Sequence, residues 1–120
     1  QVGQKIKKIG NELKDILINA AKKSNLDIVI SGRSSLLSYS LNVPNWPLAL
    51  TFIIITMLKK GILSNDRIYA NYCHTALAKK KFKIAINETF EELSKKINSG
   101  KLKEAVPLGI KKTGFNKVYK

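Results

Sequence analysis

The stretch Met57-Leu-Lys-Lys-Gly-Ile-Leu-Ser-Asn-Asp-Arg-Ile-Tyr-Ala-Asn-Tyr-Cys-His-Thr75 decides how the chain is divided. It reads as the end of one helix, a glycine stop, a short extended segment and the start of another helix. Gly61 has the freedom to take the left-handed conformation that closes a helix, and Lys59 and Lys60 stand where a helix C-terminus favours cations. Ile62 to Tyr72 carries β-branched and aromatic residues interrupted by the turn cluster Ser64-Asn65-Asp66. Thr75 is placed to cap the helix that follows. Ser64, Asn65, Tyr69, Tyr72 and His74 therefore gather in a connector between two scaffolding helices, a position that commonly carries function.

Upstream of the connector, Leu48 to Lys60 is apolar on nearly every side. Phe52-Ile-Ile-Ile-Thr56 has strand propensity, but thirteen residues closed by Lys-Lys-Gly predict a helix. Such a helix must be covered on most sides. With Trp46 and the apolar anchors of the tail, it predicts more apolar surface than a small domain covers alone. Pro44-Asn-Trp-Pro47 marks its start, with Asn45 or Trp46 capping and Pro47 in the first turn. Before it, Asp27–Ile30 predicts a strand, Ser31-Gly32-Arg33 a turn, and Ser34–Asn42 a second strand. In that second strand Leu37, Tyr39 and Leu41 alternate with Ser38 and Ser40, the period of a sheet with one buried face.

Two amphipathic stripes frame this centre. Val2, Ile6, Ile9, Leu13, Ile16, Leu17, Ala20 and Ala21 recur at spacings of three and four and end at Ser24-Asn25. Phe82, Ile86, Phe90, Leu93 and Ile97 repeat the pattern and end at Asn98-Ser99-Gly100. The order is α-β-β-α-β-α-tail: an α+β domain over residues 1–100, with helices packed on a small antiparallel sheet. Residues 101–120 form a basic tail with apolar anchors that packs on the domain or on a partner.

The chain has 120 residues, 22 Lys and Arg against 8 Asp and Glu, and a net charge of +14. An excess of this size raises nucleic acid or an anionic surface as a partner. Its distribution argues otherwise: positions 1–25, 76–100 and 101–120 each carry six lysines, so the excess is spread over helix faces and the tail. Only two of the cations are arginine, the residue suited to bidentate phosphate contacts. One cysteine, Cys73, excludes an internal disulfide and fits a reducing, cytoplasmic setting. No signal peptide is visible, and the longest apolar run, Leu48–Leu58, is too short to cross a bilayer. The chain begins at Gln1 rather than methionine, as a piece of a longer polypeptide would.

Self-contained chemistry is missing. One histidine and one cysteine, adjacent in sequence, fall short of any standard metal set. His74 beside Thr75 reads as a helix-start residue or as a base, and Cys73 as a small buried residue or as a thiolate at a helix N-terminus. No serine stands in a Gly-x-Ser-x-Gly setting, and no glycine-rich phosphate loop exists.

Leu58-Lys-Lys-Gly-Ile-Leu63 followed by Ser64-Asn65, Tyr69, Tyr72 and His74-Thr75 resembles the C-terminal segment of class III aminotransferases. The branch is that of the glutamate semialdehyde aminomutase-like enzymes, which use pyridoxal phosphate (PLP). The resemblance extends back through the Gly32–Asn42 hairpin and the opening helix, and forward to Gly114-Phe115. It implies the small domain of a fold-type I PLP enzyme, an aminotransferase or aminomutase, usually a homodimer acting on a small-molecule amino donor and acceptor. The family's Schiff-base lysine and phosphate-binding residues lie in a large domain that this chain does not contain, so no catalytic or cofactor-binding residue carries over. Where the ornithine and 4-aminobutyrate branches have an arginine before a Pro-Pro pair, this chain has Tyr69 to Thr75, and that carboxylate-pairing role does not transfer. The implied task is to close over the cofactor cleft and orient substrate, with Ser64, Asn65, Tyr69, Tyr72 and His74 as cleft candidates. The alternative is a stand-alone basic module that binds nucleic acid or another anionic partner.

Overall fold

The computed structural model describes residues 2–33, 36–62, 67–69 and 75–106. Seven elements follow in order: α1 (Val2–Lys23), β1 (Ile28–Arg33), β2 (Leu36–Leu41), α2 (Trp46–Lys59), β3 (Arg67–Tyr69), α3 (Ala76–Asn98) and α4 (Leu102–Ala105). The three strands make one antiparallel sheet in the order β1-β2-β3. The architecture is α+β, with the helices packed on this small sheet.

The two amphipathic stripes behave as their spacing requires. Ile9, Leu13, Leu17, Ala20 and Ala21 of α1 are buried, as are Phe82, Ile86, Phe90 and Leu93 of α3. α3 packs against α1 and also against α2, so it lies at the centre of the helical layer. The three long helices stop in the same way. A residue in the left-handed region, Asn25 (φ 57°), Gly61 (φ 84°) or Gly100 (φ 70°), follows the last turn. The next amide then reaches back five residues: Leu26 N–H donates to Ala21 O at 2.8 Å, Ile62 to Met57 O at 2.9 Å and Lys101 to Lys96 O at 2.9 Å. This wrap satisfies carbonyls that would otherwise face the loop unpaired.

In β2, Leu37, Tyr39 and Leu41 are buried and alternate with half-buried Leu36, Ser38 and Ser40. The hairpin differs from the sequence reading. Ser31-Gly32-Arg33 is not a turn but the last half of β1, with Ser31 opposite Ser38, Gly32 opposite Leu37 and Arg33 opposite Leu36. The connection therefore falls at positions 34 and 35, outside the described residues. Gly32 is there because the strands approach too closely for a side chain: at φ +97°, a Cβ would lie 2.5 Å from the carbonyl oxygen of Leu36. A glycine inside a strand can mark close backbone approach as readily as a turn.

α2 begins at Trp46, after Asn45 in a left-handed conformation, with Pro47 in its first turn. Its apolar surface lies largely inside the molecule, with Ala49, Leu50, Phe52, Ile53, Ile54, Thr56 and Met57 all buried. Leu58, near its end, is exposed, as are Ile18, Val29, Leu77 and Ile84 on other elements; the tail anchors beyond Val106 lie outside the described residues. Beyond Gly100, α4 folds back so that Leu102 and Val106 join the core. Among the described residues, no helix is long and apolar enough to cross a membrane.

Two side-chain junctions tie the layers together. The Tyr39 ring meets Trp46 of α2 edge-on, centroids 6.0 Å apart, and Phe90 of α3 at 6.1 Å, so the central strand is keyed to both helices. Thr89, fully buried on α3, donates its hydroxyl to Met57 Sδ of α2 at 3.2 Å. On the surface, Lys60 just past α2 reaches Glu88 (3.4 Å) and Glu92 (3.2 Å), one turn apart on α3. Burial lowers the Lys60 pKa, but the Glu92 and Glu88 carboxylates more than offset it and hold the ammonium above its ordinary range.

Candidate functional site

The connector singled out in the sequence is held at three places. Its entry is fixed by the C-terminal wrap of α2, in which Gly61 N–H donates to Leu58 O at 2.9 Å. Its middle is pinned by β3, which pairs antiparallel with β2: Leu36 with Tyr69, Leu37 with Ile68, Ser38 with Arg67. Its exit is Thr75, whose Oγ1 accepts from Ala78 N–H at 3.0 Å and caps α3 as the sequence reading required.

Of the five cleft candidates, Tyr69 stands on β3, opposite Leu36 and so one residue out of step with the buried Leu37–Tyr39–Leu41 row. Ser64, Asn65, Tyr72 and His74 lie outside the described residues, as does Cys73. The connector thus runs from the end of one core helix, along the sheet, to the start of another. Both flanking helices are anchored in a common core, through Met57 on one side and Phe82 and Ile86 on the other. A loop carried on such a frame has its two ends fixed.

The described residues do not fit a cofactor of the PLP type. Its Schiff base needs a lysine in a desolvated setting that depresses the amine pKa. No lysine is among the buried described residues: the buried polar side chains there are Ser24, Thr56 and Thr89. The half-buried Lys79 is engaged by the Glu12 carboxylate. Nor is any group of three His, Cys, Asp or Glu side chains placed to hold a metal ion among the described residues.

A second feature escaped the sequence reading. An open groove lies between α1 and α3, lined by residues from Glu12 to Lys23 on one helix and from Ala76 to Asn87 on the other. Its signal was present in the run Lys79-Lys80-Lys81-Phe82-Lys83. Taken by itself, that run looks like any solvated face. It takes α1 packed beside it to make a groove.

No family model matches the sequence, and no curated protein matches it. The fold is similar to that in the structure of the PLP internal aldimine form of the FumI protein from Sphingopyxis sp. MTA144. The TM-score is 0.65 at 13% sequence identity, and the match covers 80% of this chain and 24% of that one. The likeness is one of fold. This chain accordingly spans about a quarter of the length of that protein.

Proposed function

We propose that the chain is the small C-terminal domain of a PLP-dependent, class III aminotransferase-like enzyme, closing over the cofactor cleft and orienting substrate for amino-group transfer. The observation that carries this reading is the fold likeness: 80% of the chain superposes on part of a protein captured as its PLP aldimine. The lack of a buried lysine among the described residues supports a division of labour. The cofactor belongs to a large domain of the same enzyme, and this domain contributes the wall that faces it, in a homodimer that takes a small-molecule amino donor and acceptor. The connector, with Ser64, Asn65, Tyr69, Tyr72 and His74, is the part of this chain that meets the substrate. Its task is to position the substrate and exclude water, while Thr75 and Gly61 fix the two ends.

Reduction of the full-length gene product with borohydride in the presence of PLP, followed by peptide mapping, tests the assignment of the cofactor. A single stoichiometric lysine adduct is expected, outside residues 1–120. An adduct on one lysine inside them, or none anywhere, overturns the proposal.

The connector is tested by rate. Asn65→Ala and Tyr69→Phe in the full-length protein should lower kcat/KM by about tenfold or more, because positioning groups act on the barrier. Their effect on stability should stay below about 1 kcal/mol, the range of ordinary surface changes. Rates unchanged in both variants would reduce the connector to a linker.

A further inference from the structure

β1 is an edge strand, and its outer side is unpaired among the described residues. Antiparallel strands bond through alternate residues. Asn42 N–H donates to Asp27 O at 2.8 Å, so Asp27, Val29 and Ser31 turn their backbone groups toward β2. The N–H and C=O of Ile28 and Ile30 therefore point outward, and no other described segment bonds to them. Edges of this kind template pairing with a further strand, and proteins blunt them with lysine, proline or a bulge. β1 has none of these. Its register with β2 is unbroken from Ile28 to Arg33, and Val29 is 58% exposed.

Charge decides what can pair there. A net charge of +14 makes copies of the chain repel one another. Yet no lysine stands between Lys23 and Lys59, and the charged residues of that interval are Asp27 and Arg33, which cancel. They mark the two ends of the edge, Asp27 just before β1 and Arg33 as its last residue. Asp27 is exposed and accepts from the neutral Asn42 carboxamide at 3.4 Å. No cation pairs with it among the described residues.

We infer that β1 is a site at which two copies of this chain join, edge to edge and antiparallel, about a two-fold axis at Ile30. This register faces the outward backbone groups of one copy with those of the other. It sets Ile30 opposite its own counterpart, Ile28 opposite Gly32, Val29 opposite Ser31 and Asp27 opposite Arg33. By symmetry the Asp27–Arg33 match occurs twice, and opposite charges directly across two strands attract. A shift of two residues in either direction loses both matches. A second copy supplies both halves of this pattern, which a strand of unrelated sequence does not. The two three-stranded sheets then become one continuous sheet, joined where the lysine excess is absent. This inference is independent of the aminotransferase reading, since neither the connector nor a cofactor cleft enters it.

The test is disulfide trapping in the full-length gene product, with linked peptides mapped by mass spectrometry. Val29 and Ser31 are both exposed, so Val29→Cys and Ser31→Cys leave the core intact. Under mild oxidation, an equimolar mixture of the two variants should give an interchain link between positions 29 and 31. Its yield should exceed that of any link in either variant alone, and that of Leu77→Cys on the exposed side of α3. Asp27→Arg, added to both partners, sets like charges across the joint twice and should lower the yield by about tenfold. Asp27→Arg with Arg33→Asp restores the match and should restore the yield. The inference is overturned if the 29–31 link does not form or is no more abundant than the Leu77→Cys background. It is equally overturned if Asp27→Arg leaves the yield unchanged, or if the double exchange fails to recover it. A strand from elsewhere in the gene product seated on β1, or a dimer formed through another surface, gives no 29–31 link and so overturns it as well. The lysine adduct that tests the cofactor assignment does not depend on any of these variants, so either proposal can fail alone.

Discussion

Phe90→Ala is expected to remove roughly 3–5 kcal/mol of stability, the range for deleting a fully buried aromatic ring from a core that cannot collapse around the gap. Phe90 has no exposed surface and sits on α3, which packs against both α1 and α2. Its ring lies 6.1 Å from that of Tyr39, which is itself 6.0 Å from Trp46. Loss of the ring therefore opens a cavity where sheet, α2 and α3 meet, and removes an aromatic contact as well. Ile97→Ala, at a half-buried position on the same stripe, should cost clearly less. Urea midpoints on the full protein would show this. A shift for Phe90→Ala no larger than that for Ile97→Ala would mean that the core is not organised around this ring.

Gly32→Ala is expected to cost roughly 2–4 kcal/mol, although the residue added is the smallest side chain there is. Two penalties combine: a backbone held at φ +97°, and a Cβ that would lie 2.5 Å from the Leu36 oxygen. The obstacle is backbone, not a flexible side chain, so relief requires the strands to move apart and the Gly32–Leu37 pair to weaken. Gly61→Ala and Gly100→Ala separate the two penalties. Both glycines have positive φ, but nothing lies within 4 Å of an added Cβ. Each should cost only about 1 kcal/mol, the strain alone. If all three variants lose the same amount in thermal or urea unfolding, the close approach at Gly32 contributes nothing.

The helices were legible because their signals are local and redundant. The stripe from Phe82 to Ile97, the cap at Thr75 and the stops at Gly61 and Gly100 each follow from residues within one or two turns. The alternation in Leu37–Leu41 likewise gave the buried face of β2. Gly32 was misread because turn statistics see a glycine between Ser31 and Arg33 but not the opposing carbonyl of Leu36, which register alone brings there. The Thr89–Met57 hydrogen bond joins residues 32 positions apart and has no counterpart in any local pattern. The pairing of Lys60 with Glu88 and Glu92 was hidden for the same reason, since in the sequence Lys60 is one more cation at a helix end. Of the candidate site, the frame was readable from Gly61 and Thr75. Its placement beside β2 was not, since a strand as short as Arg67–Tyr69 acquires its partner only from the folded sheet.

The two strand ladders of the sheet differ in how easily they part. β1 and β2 share six residue pairs and are joined by two residues, whereas β3 contributes three pairs and reaches β2 only after α2 has been laid down. Loop closure and pairing energy both favour the hairpin, so in a fluctuating native state β3 is the edge that lets go first. Its release leaves Tyr39, Phe90 and Trp46 in place, because none of them stands on β3. The domain can therefore unzip β3 and re-form it as a separate event, at a fraction of the free energy of global unfolding. Backbone amides of Arg67–Tyr69 would then exchange with solvent well ahead of those in α1, α3 and the β1–β2 hairpin.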